Sequence, residues 1–356
     1  MTFELTAEQS ALRDSVRDLF HSQAAPAQLR ELWRTETGRD AQLWKGLSEI
    51  GIPGLLVAAD YDGAGGTEAD LIVVLEDTGR FCIPDSILES CMLGPTLIAE
   101  AGTEHQRSQW LPGIAAGSLR TTARLHGTTY VPDAHVADLL ITEIDGELHA
   151  LSQDEFRVVP VRSTDPSRRL FRVQAAPSPR SLLPGGRLVL RRNRQRTRIG
   201  VAAILNGISA RLLGDTVEYV KLRQQFGRAV GSFQAVKHLL AEVHAGLFAS
   251  ATATTAATND VAANAANADD TALLAHQYAI AVEANANHAA LQCHGGIGFT
   301  WEHDLHMWLK RGKALELAYG TYRTTAAEAG DVGLARSAHQ PAGNPRLPNH
   351  TDQAEG

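Results

Sequence analysis

Two stretches of the chain carry residue types that could grip an anionic ligand bearing an aromatic ring. The first is Arg223-Gln224-Gln225-Phe226-Gly227, followed by Ser232-Phe233-Gln234-Ala235-Val236-Lys237-His238. The second is Gln292-Cys293-His294-Gly295-Gly296-Ile297-Gly298-Phe299-Thr300-Trp301-Glu302-His303. Arg223 can make charge-assisted hydrogen bonds to a diphosphate. Phe226 offers an aromatic surface. Gln234, near the start of a helix, adds an amide beside backbone N–H groups that favour anions. Gly295, Gly296 and Gly298 lack a Cβ and let the backbone approach a ligand closely. Taken singly, Arg223 is a surface cation and Gly295-Gly296 a helix stop; both stretches in this order carry the stronger reading.

Other candidates are weaker. His294, His303 and His306 suggest a metal, with His303 and His306 three apart on an expected helix, but no carboxylate or cysteine companion accompanies them, and no metal is expected. Trp301, Leu305, Trp308 and Leu309 have the spacing of a buried helix face and read as core. Tyr61-Asp62-Gly63-Ala64-Gly65-Gly66 leads into a helix without a clear preceding strand, so it reads as a surface turn and not a phosphate cradle.

The elements that must position these residues follow from periodicity. Thr6 and Gln9 form a capping box ahead of Leu12, Val16, Leu19 and Phe20, which recur at helical spacing. Trp44, Leu47, Ile50 and Ile52 close a second helix, Leu71, Val74, Leu75 and Thr78 mark another, and Pro112-Gly113 with Gly117 ends the region. Residues 137–142, 147–151, 156–159 and 170–173 are short β-rich runs, with Asp145-Gly146 as a hairpin turn and Pro184-Gly185-Gly186 as the exit. From Arg196 the helical period returns. Ser232 is the expected N-cap of a helix whose face carries Phe233, Val236, Lys237, Leu240 and Val243. The Ala-rich residues 249–290 read as closely packed bundle helices, with Asn259-Asp260 as a turn. The expected organisation is a helical domain over 1–117, a reduced β domain over 118–190, a helical bundle over 191–335 and a disordered tail over 336–356. The 356 residues fit two or three packed units, and the net charge of −7 gives no electrostatic reason to expect nucleic acid. Cys82, Cys91 and Cys293, an odd number without metal-like spacing, argue against a secreted disulfide framework. With no signal peptide and no run of eighteen apolar residues, the expectation is a cytoplasmic protein with no membrane partner.

The two opening motifs together resemble the C-terminal half of the acyl-CoA dehydrogenases, FAD-dependent enzymes that desaturate acyl-CoA thioesters. The order of helices, small β unit and helices is also that of the family, so the resemblance implies its mainly α fold with a four-helix C-terminal bundle. In that family these positions grip the ADP half of a FAD bound mainly to the neighbouring subunit. The resemblance implies that role for Arg223, Gln225, Phe226, Gln234, Gln292, Gly295 and Gly296. It also implies an absence. One family position for the catalytic glutamate, before a Gly-Thr pair, is Tyr319 here, and the other is Thr197 beside Arg198. Neither is a useful base near neutral pH. The family's Thr-Glu-Pro loop over the flavin is missing from the short middle unit, where Tyr130 stands for a frequent Trp and Pro132 for a hydrogen-bonding Thr. The expectation is therefore a subunit without its own catalytic residues, resembling the non-catalytic chain of α2β2 steroid-type enzymes. A catalytic sister subunit, an acyl-CoA substrate and electron-transfer flavoprotein as acceptor are implied partners. Two alternatives remain: a self-sufficient enzyme with a displaced base such as Glu218, Glu302 or Glu316, and a flavin-free scaffold of the same fold.

Overall fold

In the computed structural model, which describes residues 5–125 and 128–339, the chain opens with six helices. They are α1 (Ala7–Gln23), α2 (Pro26–Leu32), α3 (Ala41–Ile50), α4 (Glu68–Arg80), α5 (Gly94–Ala101) and α6 (Glu104–Ala115). Thr6 Oγ1 accepts from the Gln9 N–H at 3.2 Å and Gln9 Oε1 accepts from the Thr6 N–H at 3.1 Å, which is the capping box expected from sequence. A π-helical turn over Leu88–Leu93 runs directly into α5. Pro112 and Gly113 do not end the region; they sit inside α6. Proline forfeits one backbone bond there, and the helix is closed one turn on by the Ala116 N–H donating to the Pro112 carbonyl at 3.0 Å.

Six strands follow: β1 (Thr121–Arg124), β2 (Val131–Pro132), β3 (Leu139–Ile144), β4 (Glu147–Ser152), β5 (Phe156–Val161) and β6 (Leu170–Ala175). They form two three-stranded sheets in the orders β1-β3-β4 and β2-β6-β5. Asp145 and Gly146 take φ of 51° and 78°, the paired left-handed conformation that a two-residue hairpin demands, and set the register from Leu139↔Ser152 to Ile144↔Glu147. A small core of Val131, Ala134, Leu140, Leu151, Phe156 and Phe171 holds the unit together.

The rest is helical: α7 (Gly186–Leu222), a two-residue hairpin of β7 (Gln224–Gln225) and β8 (Arg228–Ala229), α8 (Gln234–Ala262), α9 (Ala268–His294), α10 (Leu305–Tyr319) and α11 (Tyr322–His339). The main core runs from the first helices into this bundle without a break. A Cβ on Gly207 would lie 1.8 Å from the Glu76 carbonyl oxygen, so the backbones of α4 and α7 cross in direct contact. The Ala-rich stretch does form packed helices. Buried Asn206 on α7 donates to Thr254 Oγ1 at 3.0 Å and accepts from Ser250 Oγ at 2.6 Å, pinning α8 to α7.

Some local expectations are overturned. Asn259 and Asp260 lie within α8; the turn falls later, at Asn264, which takes the left-handed φ of 50°. Ser232 is not the N-cap of α8. It belongs to a 3₁₀ turn that directs its hydroxyl to the Ala229 carbonyl at 2.7 Å, so Phe233 takes the cap position. The helix expected to stop near 335 continues to His339, into the first residues of the expected tail; the remainder, 340–356, lies outside the described residues. Among the described residues, no helix is long and apolar enough to cross a membrane.

Candidate functional site

The two opening motifs meet at one end of the C-terminal bundle. Tyr219, one turn before Arg223, stacks on His294, one residue before Gly295, with ring centroids 4.2 Å apart. His303 completes the joint: its ring meets that of His294 at 4.7 Å, and its Nδ1 accepts from the Leu305 N–H at 3.1 Å at the start of α10. The ends of α7 and α9 and the start of α10 are thereby fixed together. The β7–β8 hairpin keeps the start of α8 beside them.

All seven residues expected to hold a cofactor are exposed: Arg223, Gln225, Phe226, Gln234, Gln292, Gly295 and Gly296. Phe226 is 92% exposed and sits at φ 53°, a left-handed conformation that costs a phenylalanine about 1 kcal/mol or more. The hairpin thus spends backbone strain on displaying an aromatic ring to solvent. Arg223 has no ion pair among the described residues. The start of α8 has no side-chain cap, because Ser232 is turned away, and its first N–H groups are free to meet an anion. A Cβ on Gly295 or Gly296 would meet nothing within 4 Å, so both present open backbone. A free cation, an uncapped helix start, an exposed ring and open backbone are a donor set that fits the ADP half of FAD.

Tyr319 lies at the other end of α10, about 20 Å along the helix axis from Leu305. It is half-buried with its hydroxyl turned inward. The hydroxyl donates to the carboxylate of Glu89, and Arg168 Nη2 donates to the phenol oxygen at 3.2 Å. Arg168 also reaches the Ala314 carbonyl at 3.2 Å. Burial, reinforced by the Glu89 charge, pushes the Tyr319 phenol far above its ordinary range. Burial likewise raises Glu89, with Arg168 opposing. Tyr319 is a neutral donor at pH 7 and cannot serve as a base.

Arg168 comes from the loop joining β5 to β6, and two further arginines pin that loop. Arg311 on α10 donates to Asp165 Oδ2 at 2.5 Å, to Ser167 Oγ at 2.7 Å and to the Ile83 carbonyl at 2.7 Å. Arg39, from the segment before α3, donates to the Ser167 carbonyl at 3.1 Å and pairs with Asp133. Asp133 in turn accepts from the Ser86 N–H and hydroxyl at 3.0 and 2.8 Å. Burial lowers and the facing Asp165 raises the Arg311 guanidinium, with a net shift upward, while Arg311 outweighs burial and holds Asp165 below its usual range. A cavity of about 40 Å³ remains between Asp85, Glu89, Arg168, Ile204, Arg311 and Tyr319. That is room for water and not for an acyl chain.

The other expected positions lie elsewhere. Thr197 is buried on α7 with its hydroxyl donating to the Asn193 carbonyl at 2.9 Å, away from this cavity lining. Of the displaced-base candidates, Glu302 is exposed, Glu218 is exposed and pairs with Lys221, and Glu316 pairs with Lys313; none lines the cavity. Trp301 is not core: it precedes α10, is 62% exposed and lies against Lys310, whose ammonium is 3.6 Å from its ring centroid. His306 is on α10 but packs between Trp33 and Trp301, and among the described residues no three His, Cys, Asp or Glu side chains are arranged to hold a metal. Tyr130 is exposed beneath Arg172, while Pro132 lies in β2 and its carbonyl accepts from Thr122 Oγ1 at 2.5 Å. Sequence reading missed Glu89 and Arg168. A lone acid inside Ile87-Leu88-Glu89-Ser90-Cys91-Met92-Leu93 was the available signal for the first; nothing local marked the second.

Residues 6–118 match the acyl-CoA dehydrogenase N-terminal domain family, and residues 185–327 match the acyl-CoA dehydrogenase C-terminal domain family. The chain is 34% identical over 308 residues to the acyl-CoA dehydrogenase IpdE2 of Mycobacterium tuberculosis, covering 85% of this chain and 90% of that protein. It is 30% identical to the acyl-CoA dehydrogenase FadE34 of the same organism, covering 88% of this chain but only 46% of that longer protein. Among solved structures it resembles the Tcur3481-Tcur3483 steroid acyl-CoA dehydrogenase G363A variant, with a TM-score of 0.84, 26% identity and 93% and 99% of the two chains covered. The fold also matches a chain of the ChsE4-ChsE5 complex from Mycobacterium tuberculosis, with a TM-score of 0.85, 22% identity and coverage of 96% and 100%.

Proposed function

The chain belongs to the acyl-CoA dehydrogenase family of FAD-dependent oxidoreductases, and on that footing we propose that it is the non-catalytic subunit of a heteromeric acyl-CoA dehydrogenase. The observation that carries the reading is the state of Tyr319. A neutral phenol, bonded to Glu89 and Arg168, stands where the family's base is expected, while the groups suited to the ADP half of FAD remain free at the far end of α10. A catalytic sister chain supplies the glutamate, the flavin-ring pocket and the acyl chamber. This chain supplies Arg223 and the start of α8 to the diphosphate, Phe226 and Gln225 to the adenosine side, and Gln292, Gly295 and Gly296 as close-packing backbone. FAD bound across the two chains would supply the hydride acceptor for the substrate β-carbon.

Support for a sister chain comes from the relatives. Two structural neighbours are named as pairs, the ChsE4-ChsE5 complex and the Tcur3481-Tcur3483 steroid enzyme. The match to FadE34 leaves more than half of that protein uncovered, enough for a second unit of this size. By the same likeness the substrate class is the CoA thioester of a steroid side chain, the acceptor is electron-transfer flavoprotein and the compartment is the cytoplasm. The division into a helical domain to about residue 117, a β unit and a C-terminal bundle that begins with α7 is part of the same proposal. Co-expression with an adjacent sister gene tests it. Yellow colour and desaturase activity should require both chains, with one FAD for each pair of unlike subunits. Full FAD content and turnover from this chain alone would refute it.

A further inference from the structure

We infer that this chain shuts its own acyl chamber with a built-in plug, formed by Arg168 of the β5–β6 loop, Tyr319 of α10 and Glu89 of the π-helical turn. The plug deepens the reading of the chain as a non-catalytic subunit, and rests on that reading only for identifying the chamber as acyl-binding.

The three side chains come from three distant parts of the sequence and satisfy one another. Tyr319 needs an acceptor for a hydroxyl turned into the protein, and Glu89 provides it. Glu89 is 5% exposed and needs a counter-charge, which Arg168, itself 8% exposed, provides. Arg168 needs acceptors for its remaining N–H groups and finds the Ala314 carbonyl and the phenol oxygen. Loss of a catalytic glutamate by drift does not require such a set. A smaller residue at 319 would leave the Glu89 carboxylate facing a void and the loop arginine without a seat.

The loop is also anchored independently of Tyr319. Asp165 and Ser167, 1% and 2% exposed, are gripped by Arg311 from α10 and, at the Ser167 carbonyl, by Arg39 from the segment before α3. The loop backbone is therefore fixed from both sides before Arg168 is placed. Asp85 borders the same cavity with Oδ2 unpaired and Oδ1 held by Arg120 at 3.2 Å, so a water there has an acceptor to meet. An acyl chain entering it would displace charged groups without replacing their bonds.

Titration calorimetry of the purified full-length chain with octanoyl-CoA, with free CoA as control, tests the plug. Wild type and Tyr319→Phe, which keeps the ring, should show no saturable binding of octanoyl-CoA. The double variant Glu89→Ala/Tyr319→Ala should bind octanoyl-CoA about tenfold or more tighter than free CoA, because a few methylenes gain apolar contact. A folded double variant that gains nothing would overturn the proposal. So would a wild-type chain that binds octanoyl-CoA and loses that binding in Arg168→Ala, which would make Arg168 a ligand-binding residue. If the double variant does not fold, hydrogen exchange on Arg168→Ala decides. Amides 315–319 at the end of α10, where Arg168 bonds the Ala314 carbonyl and Tyr319, should exchange about tenfold faster than in wild type, and unchanged exchange would overturn the plug. FAD content of the co-expressed pair tests the subunit assignment separately, since these titrations use the single chain without flavin.

Discussion

Glu283 is a buried carboxyl whose proton the fold retains at neutral pH, and replacing it with glutamine should stabilise the protein. Glu283 is 2% exposed on α9 and faces α10, where a Cβ on Gly312 would lie 1.8 Å from its Oε1; the glycine is the notch that houses the carboxyl. Asn287 donates to it, Glu316 lies across the interface, and Lys313 gives only partial compensation. Burial, then the Glu316 charge, raises its pKa to about 8 from an ordinary 4.5. The sign follows from linkage. Between those values the folded chain binds a proton that the unfolded chain releases, so stability is fully present below the unfolded pKa and falls as pH rises towards 8. The slope is about 1.4 kcal/mol per pH unit, and the loss at pH 7 is about 3 kcal/mol. In Glu283→Gln the amide keeps an acceptor for Asn287 and has no proton to lose. Urea denaturation from pH 5 to 8.5 should show the variant up to about 3 kcal/mol more stable at pH 7 and nearly equal at pH 5. A variant less stable than wild type at pH 7, with the wild-type pH slope intact, would refute the assignment of a neutral Glu283.

Four further outcomes are expected. Arg223→Ala, assayed in the co-expressed pair, should weaken FAD retention about tenfold to a hundredfold while leaving the melting temperature of the flavin-free chain unchanged, because the exposed arginine has no ion pair among the described residues. Asp165→Asn should cost about 3–5 kcal/mol in urea unfolding, since it leaves the Arg311 charge buried without its counter-ion. The stability wild type draws from that aspartate, whose folded pKa is depressed, should be present above its unfolded pKa of about 4 and lost as pH falls through the folded value. Tyr319→Glu should yield no desaturase activity from the single chain, and circular dichroism melts should show it destabilised at pH 7 more than at pH 5, because the new carboxylate faces Glu89.

The helices, their caps and the β-hairpin were legible because each rests on local chemistry: Thr6 and Gln9 are three residues apart, and Asp145-Gly146 tolerates left-handed backbone. The family was legible for a related reason, since the flavin motifs are contiguous runs. What was not legible depends on distant partners. Ser232 has the composition of a cap, but the 3₁₀ turn before α8 gives its hydroxyl another acceptor. Trp301 has helical spacing from Leu305, but its helix begins four residues later. Glu89 and Tyr319 are 230 positions apart, and no period or motif connects them.

These distant contacts change what the missing glutamate means. Sequence alone presents Tyr319 as an absence, and an absence is compatible with a relocated base. The structure fills the position with a bonded phenol, a buried counter-charged carboxylate and an arginine on an anchored loop, and it sends Glu218 and Glu302 to the surface and Glu316 to another interface. Glu89 is the carboxylate bonded to Tyr319, but it is buried, engaged by donors and bordered by a cavity of only about 40 Å³. A general base must reach the proton it removes, and no acyl α-carbon can enter there. On the proposed reading, giving this chain desaturase chemistry of its own requires opening the Arg168 loop and removing Tyr319 together; placing a carboxylate at 319 alone adds a second negative charge beside the first.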